Sequence, residues 1–279
     1  MSLQIIGDPV LHSKSPVIQG AMLAALGLDV EYTPHVVRRG ELSQYLAWAR
    51  ENGVTGFNAT MPHKEDLLPL LDEVDPLAQS IGAVNTVCLR DGKWVGFNTD
   101  GAGAVAALQD GLGLDLSGLT VTLLGAGGAA KAVALALSAA GAERVFVCNR
   151  TLSRTQALCA QDPLGRLSPA AFDTDTLFGL AAKSQLLVNC TNLGMAGCPC
   201  QFEDFSFLDA LPPNAAVFDA IYHPAETELL AQAKGRGLRV MNGLPMLVNQ
   251  AVLALERFLD RPLDRRAMAA VAEEALAQK

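Results

Sequence analysis

Two polar clusters lie at the ends of apolar, glycine-bearing segments, and each ends on a residue that can take part in proton transfer. Gly56-Phe-Asn58-Ala-Thr60-Met-Pro62-His-Lys64 ends on a lysine, and Gly96-Phe-Asn98-Thr99-Asp100 ends on an aspartate. An ammonium group can protonate an alkoxide as it forms, while a carboxylate orients the ammonium and balances its charge. Lys64 and Asp100 therefore predict a pair for alcohol–ketone interconversion. The competing interpretation is a surface lysine and a helix-capping aspartate.

A third cluster combines two hydroxyl groups with the start of a predicted helix. His12-Ser13-Lys14-Ser15-Pro16 precedes apolar residues at helical spacing, with Ser15 as the expected N-cap and the proline in the first turn. Because a helix N-terminus favours negative charge, Ser13 and Ser15 fit a ligand that carries a carboxylate.

A glycine-rich turn carries the pattern of a dinucleotide site. A predicted strand at residues 120–124 continues into Gly125-Ala126-Gly127-Gly128-Ala129-Ala130, and a helix is predicted over residues 131–140. In this GxGxxA pattern Gly125 permits the tight turn, Gly127 lets backbone amides approach a pyrophosphate, and Ala130 lets the helix pack on the strand. The helix N-terminus then favours the diphosphate charge.

The end of the next predicted strand indicates which dinucleotide binds. Residues 144–148 are followed by Asn149-Arg150-Thr151, where an NAD enzyme usually carries an acidic residue for the ribose hydroxyls. Arg150 stands there instead, with Arg154 one turn further on. Guanidinium groups pair with the 2′-phosphate of NADP, whereas a carboxylate repels it, so the sequence predicts NADP. The alternative is a solvated arginine pair at the start of a helix.

These clusters need alternating strands and helices to position them. Before residue 100, strands are predicted at residues 3–6, 30–37, 54–59, 84–89 and 93–97, with helices at 15–26 and 41–52. After residue 100, strand and helix alternate over residues 119–149, interior parallel strands follow at 185–189 and 216–219, and helices close the chain at 245–259 and 263–277. This order predicts an α/β protein with two domains and a cleft between them.

Composition excludes several classes of function. The chain has 279 residues, 21 Lys+Arg and 29 Asp+Glu, a net charge of −8 and a mean hydropathy of +0.25. An acidic protein repels phosphate backbones, so no nucleic acid or anionic membrane is expected as a partner. The longest charge-free stretch, residues 184–202, contains amides, glycines and a proline that a lipid core would reject.

The six cysteines follow no regular spacing, so reduced thiols in a cytoplasmic protein are expected. The start of the chain has no basic segment followed by an apolar run, so no signal peptide is expected either. Cys198-Pro199-Cys200 is the one tight pair, and it has no second pair or nearby histidine. No metal site is therefore expected.

The chain is similar to the shikimate dehydrogenase family in a series of ordered blocks. The blocks are His12-Ser-Lys-Ser-Pro16, Gly56-Phe-Asn-Ala-Thr-Met-Pro-His-Lys64, Ile81-Gly-Ala-Val-Asn-Thr86, Gly96-Phe-Asn-Thr-Asp100, Gly125-Ala-Gly-Gly-Ala-Ala130, Asn149-Arg-Thr151, Asn189-Cys-Thr-Asn-Leu-Gly-Met195, Asp219-Ala-Ile-Tyr-His-Pro224 and Gly243-Leu-Pro-Met-Leu-Val-Asn-Gln250. They run in the family's order from residue 7 to about residue 258. Nine ordered blocks are far more specific than any one of them.

The resemblance implies a role for each matching residue. Lys64 matches the acid–base catalyst and Asp100 its partner. The positions that match the family's substrate contacts are Ser13, Ser15, Thr60, Asn85, Tyr222 and Gln250. The positions that match its NADP site are Gly125, Ala126, Gly127, Gly128, Ala129, Asn149, Arg150, Thr151, Arg154, Met195 and Gly243. For Met195, a core-filling methionine is an equally good interpretation.

The resemblance also implies a reaction and a domain plan. Hydride passes between NADPH and the C3 carbonyl of 3-dehydroshikimate, and Lys64 supplies the proton that completes shikimate. An α/β substrate domain, residues 1–102 completed by 241–279, accompanies a doubly wound Rossmann-type NADP domain at 103–240. The protein is expected to be a monomer or homodimer.

Two departures from the family pattern lie beside functional positions. Gln19-Gly20 follows Ile18 where the family often has His-Asn, and Ala59 replaces a usual valine. They bear on the shape of the pocket more than on the reaction.

Two other functions stay open. One is a quinate/shikimate dehydrogenase that uses NAD or NADP, for which Ser13 and Ser15 are the discriminating positions. The other is a catalytically silent NADP-binding sensor, which would keep the glycine turn but lose Lys64 and Asp100.

Overall fold

The computed structural model describes residues 1–278, and the chain divides into two compact units. The first contains Met1–Gly103 together with the chain from Val248 onward, and the second contains Ala104–Leu247. The second boundary follows Leu247, whereas the family resemblance implies one near residue 240.

The first unit is built from short strands and helices at both ends of the chain. Its N-terminal elements are β1 (Ser2–Gly7), α1 (Ser15–Ala25), β2 (Glu31–Val36), α2 (Leu42–Glu51), β3 (Gly56–Ala59), a 3₁₀ turn (Leu68–Leu70), β4 (Glu73–Val74), α3 (Pro76–Ile81), β5 (Thr86–Arg90), β6 (Lys93–Phe97) and the start of α4 (Asp100–Leu112).

The second unit alternates strand and helix. After α4 come β7 (Thr120–Leu124), α5 (Gly128–Ala139), β8 (Arg144–Asn149), α6 (Leu152–Cys159), β9 (Leu167–Ala171), α7 (Thr174–Ala181), β10 (Leu186–Asn189), a 3₁₀ turn (Ser206–Ala210), β11 (Ala216–Asp219), α8 (Glu228–Gly235) and β12 (Arg239–Met241). The chain then continues into α9 (Leu244–Leu259) and ends with α10 (Arg265–Ala277).

The sheet of the first unit has the strand order β2-β1-β3-β5-β6-β4 and mixed direction. Strand β1 pairs in parallel with β2 and β3, while β5 runs antiparallel to β3 and β6. Pro34 lies in β2, at the edge of the sheet, where a missing backbone donor is tolerated. The register sets Asn58 opposite Thr86, which brings two polar motifs together.

The core of the first unit is aromatic at its centre. Phe57 and Trp94 meet edge to face with their ring centres 5.5 Å apart. The last two helices pack against this unit. The Gln19 amide of α1 donates to the Ala251 carbonyl of α9 at 2.9 Å, Phe258 of α9 lies against Gly56 of β3, and α10 lies against α1. The C-terminal helices therefore belong to the same unit as the N-terminal strands.

The sheet of the second unit is parallel, with the order β12-β11-β10-β7-β8-β9. This is the doubly wound order, in which the direction of winding reverses between β7 and β10. The two predicted interior strands, β10 and β11, are buried along their whole length, as parallel strands covered on both faces should be. The α/β class and the Rossmann-type sheet predicted from the sequence are confirmed.

Some element limits differ from those predicted. Helix α5 begins at Gly128 rather than at residue 131, so the end of the glycine pattern forms its first turn. Helix α1 begins at Ser15 with Lys14 as its N-cap, and no side chain caps it, so the prediction of Ser15 as the N-cap is wrong. The short elements α3, β4 and β12 lack a recognisable period in the sequence.

Within residues 1–278, no helix combines the length and the apolar character needed to cross a membrane.

Candidate active site

Lys64 and Asp100 form an ion pair at one edge of the first unit. Lys64 follows β3, and its carbonyl accepts a hydrogen bond from the Val84 amide at 2.7 Å. Asp100 is the first residue of α4. Lys64 Nζ lies 2.5 Å from Asp100 Oδ2, with side-chain exposures of 22% and 7%. The predicted pair therefore meets, and the lysine side chain is partly exposed while the aspartate side chain is buried.

The carboxylate of Asp100 bonds to side chains rather than capping its helix. Its second oxygen, Oδ1, accepts from Asn85 Nδ2 at 2.8 Å. The Asp100 amide itself donates to Asn98 Oδ1 at 3.0 Å, so Asn98 satisfies the start of α4. The competing interpretation of Asp100 as an N-cap does not fit, because Asp100 is itself the first residue of the helix and its carboxylate bonds to Lys64 and Asn85.

Asn85 is held at several points, which fixes the orientation of its amide. Its Oδ1 accepts from the Thr99 backbone amide at 2.9 Å, so its Nδ2 must face Asp100 and the Thr99 hydroxyl. Gln250 Oε1 lies 3.5 Å from the same hydroxyl, and the Gln250 backbone lies so close to Gly103 that a Cβ there would approach it to 2.7 Å. Asn85 and Gln250 thus lie beside the Lys64–Asp100 pair.

Ser13 and Thr60 lie in loops that follow neighbouring parallel strands, and Ser15 is the first residue of α1. Ser13 Oγ accepts from the Ser15 amide at 3.2 Å, and Ser15 is buried while Ser13 is half-buried. The Thr60 amide donates to the Ile6 carbonyl at 2.9 Å, and its methyl group lies beside Gly7. Because β1 and β3 are parallel, the loop with Ser13 and the loop with Thr60 leave the sheet at the same edge.

The glycine turn of the second unit lies where the winding of the sheet reverses. Gly125 has a φ of +113°, and a Cβ there would lie 3.0 Å from the Cys190 carbonyl that follows β10. Both facts require glycine at this position. Ala130 is fully buried against the sheet, as the predicted close packing of helix and strand requires.

Gly127 has a different reason to be glycine. Its φ is −86°, and nothing lies within 4 Å of the place where a Cβ would sit. The fold therefore tolerates a side chain here, so the open space suits close approach of an external group. Gly127, Gly128 and Ala129 also lie at the N-terminus of α5, where backbone amides have no intrahelical partner. This arrangement fits the pyrophosphate of a dinucleotide.

The arginines that indicate NADP are exposed at the end of β8. Asn149 Nδ2 donates to the Thr151 carbonyl at 3.2 Å, which shapes the turn that presents Arg150 and Arg154. Within residues 1–278 neither guanidinium is engaged in an ion pair. Both are therefore available to a phosphate group.

Met195, Tyr222 and Gly243 lie in three segments of the second unit that are joined through backbone hydrogen bonds. The Ala196 amide donates to the His223 carbonyl at 3.0 Å, and the Gly243 amide donates to the Ile221 carbonyl at 2.9 Å. Burial raises the pKa of Tyr222. A Cβ at Gly243 would lie 2.0 Å from the Ala220 carbonyl, so packing alone explains that glycine.

Cys198 and Cys200 lie in the loop after β10. Asn192 Nδ2 lies 3.3 Å from Cys198 Sγ, and a hydrogen bond with Cys198 raises the pKa of the exposed Cys200 thiol. Among the described residues, no group of three or more His, Cys, Asp or Glu side chains is placed to hold a metal ion.

The sequence does not reveal the residues that lie behind the Lys64–Asp100 pair. Tyr32 OH donates to Asn58 Oδ1 at 2.7 Å, and Asn58 in turn contacts Thr86. Asn58 belongs to a polar motif, but the motif alone gives it no role. Nothing in the sequence marks Tyr32, because its partner is 26 residues away and depends on strand register.

Comparison with known proteins identifies the family. Two family models match, one described as the shikimate dehydrogenase substrate binding domain over residues 5–87 and one as shikimate / quinate 5-dehydrogenase over residues 107–194. Shikimate dehydrogenase (NADP(+)) of Geobacter sulfurreducens is 40% identical, with 91% of this chain and 89% of the relative covered. The chain belongs to the shikimate dehydrogenase family.

Solved structures of this family share the fold. Shikimate 5-dehydrogenase from Thermus thermophilus, in complex with NADP(H) and shikimate, is 38% identical with a TM-score of 0.83 and 99% of each chain covered. Quinate dehydrogenase from Corynebacterium glutamicum, in complex with NAD, is 31% identical with a TM-score of 0.85, over 97% of this chain and 98% of the other. The predicted family, and with it an oxidoreductase, is confirmed.

Proposed function

We propose that this shikimate dehydrogenase family member is an NADP-dependent enzyme that interconverts 3-dehydroshikimate and shikimate. The observation that carries the proposal is the Lys64–Asp100 ion pair, with its buried aspartate and partly exposed lysine, in a chain that keeps the family's substrate motifs. The curated relatives named shikimate dehydrogenase (NADP(+)) and the Thermus complex with NADP(H) and shikimate support it.

Lys64, Asp100 and Asn85 each have a chemical role in this proposal. NADPH supplies the hydride that reduces the C3 carbonyl. Lys64 donates the proton to the developing alkoxide, and in the reverse direction it accepts that proton. Asp100 balances the charge of the lysine and orients its ammonium group through Oδ2. Asn85 donates a hydrogen bond to Oδ1, the other oxygen of the Asp100 carboxylate. A sensor that has lost catalysis would have no need of this pair.

Five other polar residues are proposed to bind the substrate. Ser13 and Ser15 bind its carboxylate at the start of α1, where the amides of the first turn add favourable dipoles. Thr60 and Gln250 bind its ring hydroxyls, since one follows β3 just before Lys64 and the other lies beside Thr99. Tyr222 is proposed as a further substrate contact.

NADP is proposed to bind the second unit. Its pyrophosphate lies on the turn of Gly125, Ala126 and Gly127 and on the first turn of α5, which includes Gly128 and Ala129. Its 2′-phosphate is held by Arg150 and Arg154, with Asn149 and Thr151 shaping that turn. Met195 and Gly243 are proposed to lie against the nicotinamide half of the cofactor.

The same proposal assigns substrate binding to residues 1–102 with 241–279, and NADP binding to residues 103–240. It also includes a cytoplasmic location.

The proposed oligomeric state is a monomer or a homodimer, and size-exclusion chromatography with light scattering tests it. No nucleic-acid partner is proposed, because the net charge of the chain is negative.

The test is an initial-rate assay that offers shikimate and quinate, each with NADP and with NAD. We expect reduction of NADP with shikimate and at least tenfold lower kcat/KM in the other three combinations, about 1.4 kcal/mol of discrimination. No rate in any combination would overturn the proposed substrate while leaving the family assignment intact.

Quinate with NAD is the second candidate, favoured by the Corynebacterium neighbour described as a quinate dehydrogenase in complex with NAD. Quinate carries an extra hydroxyl on the carbon that bears the carboxylate. Ser13 and Ser15, which are proposed to bind that carboxylate, are therefore the positions that discriminate between quinate and shikimate. Comparable rates with quinate or NAD would favour this broader activity.

A further inference from the structure

A chain of buried hydrogen bonds runs from the edge of the sheet to the catalytic pair. Tyr32 OH donates to Asn58 Oδ1 at 2.7 Å, and Asn58 Nδ2 donates to Thr86 Oγ1 at 2.9 Å. Thr86 Oγ1 donates to Asn85 Oδ1 at 2.9 Å, and Asn85 Nδ2 donates to Asp100 Oδ1 at 2.8 Å. All five residues are buried, and together they link strands β2, β3 and β5 to the start of α4.

Backbone groups fix the direction of this chain. Asn58 Nδ2 also donates to the Asn85 carbonyl at 3.1 Å, which can only accept. The Thr99 backbone amide, which can only donate, bonds to Asn85 Oδ1. Each side-chain amide therefore has one allowed orientation, and every link depends on the link before it.

Tyr32 occupies the outer end of the chain, where it satisfies the last acceptor. Burial, and to a lesser extent the neighbouring Tyr45, raise the pKa of Tyr32 well above its ordinary value, so its phenol keeps the proton that it donates. Within residues 1–278 Tyr32 is the one donor to Asn58 Oδ1. Without the phenol hydroxyl, this buried oxygen loses its hydrogen-bond donor. The present orientation of the Asn58 amide is then less stable, and we expect the amide to shift.

We propose that Tyr32 is a positioning residue for catalysis, which sets the Asp100 carboxylate through Asn58, Thr86 and Asn85. It does not touch the reacting atoms. The proposal rests on the catalytic role proposed for Lys64 and Asp100, because the chain ends on that pair.

The experiment compares Tyr32→Phe with the matched control Tyr45→Phe. Tyr45 is equally buried in the same unit, and its hydroxyl donates to Gln4 Oε1 at 2.9 Å, outside the chain that ends at Asp100. We expect Tyr32→Phe to lower kcat about 3- to 10-fold, the range of one net hydrogen bond, while KM for NADP stays unchanged. Tyr45→Phe should keep kcat within about twofold of the wild-type value.

An isotope effect separates positioning from loss of folded protein. With shikimate deuterated at C3, a slower chemical step raises the primary isotope effect on kcat, whereas a smaller folded fraction leaves it unchanged. We expect the effect to rise in Tyr32→Phe and to stay at the wild-type value in Tyr45→Phe. An unchanged isotope effect in both would overturn the proposal.

Thr86→Val provides a second route if Tyr32→Phe does not fold. It removes the hydroxyl that joins Asn58 to Asn85 at nearly constant volume, so kcat should fall at least as much as in Tyr32→Phe. In the double variant the losses should be less than multiplicative, because both substitutions break one chain. Strictly multiplicative losses would contradict a single chain.

Lys64→Met in the same assay keeps the two proposals distinguishable. If Lys64→Met retains turnover, the catalytic pair is wrongly assigned. If it loses turnover while Tyr32→Phe matches the wild type in kcat and isotope effect, only the positioning role fails.

Discussion

At the scale of single residues, the site depends on where two charges are placed. The ammonium of Lys64 is bonded to a carboxylate whose second oxygen is held by Asn85, so the pair has little freedom to turn. In the proposed reaction, such preorganisation would lower the barrier because no reorganisation is needed when charge develops.

Replacement of Lys64 by methionine should abolish proton transfer and leave the cofactor site intact. We expect kcat to fall by about 10²- to 10⁴-fold, the usual contribution of general acid–base catalysis, with the Kd for NADPH within about twofold. Stopped-flow or steady-state rates and NADPH fluorescence measure the two. Lys93→Met is the control, since Lys93 is an exposed partner of Glu73 in the same unit and should keep full activity.

Replacement of Arg150 by alanine should weaken NADP binding alone. A charge-assisted hydrogen bond to the 2′-phosphate is worth about 1.5–3 kcal/mol, so KM for NADP should rise about 10- to 100-fold. KM for NAD, which lacks that phosphate, should not change. Arg144→Ala is the matched control, because Arg144 lies at the opposite end of β8. A parallel rise in both KM values would show that Arg150 does not read the 2′-phosphate.

At the scale of elements, the turn between β7 and α5 contains two glycines, and the fold requires glycine at only one of the two positions. Gly125 is required by its positive φ and by the nearby Cys190 carbonyl, whereas Gly127 faces open space. The sequence motif treats the two alike, and only the contacts separate them.

Alanine at each of these positions should therefore have different effects. Gly125→Ala should lower the free energy of unfolding by about 1–3 kcal/mol through backbone strain. Gly127→Ala should leave stability equal or raise it by about 0.4–1 kcal/mol, because its backbone conformation suits alanine. The same variant should weaken NADP binding about tenfold, or 1.4 kcal/mol. Urea unfolding and NADPH titration test this, and unchanged NADP affinity in Gly127→Ala would argue against the pyrophosphate site.

The end of β11 should give the protein a pH-dependent stability. Burial raises the pKa of Asp219 from 3.8 to about 6, although hydrogen bonds from Thr227, Ile221 and Asn189 oppose the shift. Because the folded form holds this proton more tightly, the stability that it contributes below about pH 4 is lost as pH rises towards 6. The free energy of unfolding of Asp219→Asn, relative to the wild type, should therefore rise across this window and level off above it.

Urea unfolding at half-unit steps from pH 4 to 7 measures this difference. Asp173→Asn is the control, since hydrogen bonds from Thr176 lower the pKa of Asp173. The stability that Asp173 contributes therefore changes with pH in the opposite direction to that of Asp219. Because this titration lies below about pH 4, the free energy of unfolding of Asp173→Asn relative to the wild type should not rise between pH 4 and 7. A flat difference for Asp219→Asn would mean that this carboxyl does not titrate near pH 6.

At the scale of the whole molecule, the chain forms two compact units, and we propose one ligand site in each. The first unit draws its helices from both ends of the chain, and the second is a continuous segment. Ligand binding to a folded unit slows its local opening, so each ligand should leave its own pattern of protection.

Hydrogen exchange of the full chain should resolve the two patterns. NADP alone should slow exchange most in residues 125–131 and 149–154, and shikimate alone in residues 13–19, 60–64 and 98–103. Protection of residues 149–154 by shikimate alone, at a level equal to that given by NADP, would contradict the assignment.

The sequence by itself determined the features that a few contiguous residues encode. These features are the glycine turn, the arginine at position 150 in place of an acidic residue, and the buried strands β10 and β11. They follow from local backbone geometry and hydrophobic pattern, which depend little on distant contacts. The motifs also pointed to Lys64 and Asp100, although the capping alternative stayed open until their partners were seen.

Only the tertiary structure decided how those residues are held. The orientation of the Asn85 amide, the link from Tyr32 to Asn58, and the close approach of Gly243 to Ala220 depend on strand register and on contacts between distant segments. A shift of one residue in the pairing of β3 with β5 would turn Asn58 away from Thr86. Such pairings are set by packing the whole unit, which is why no short pattern in the sequence reveals them.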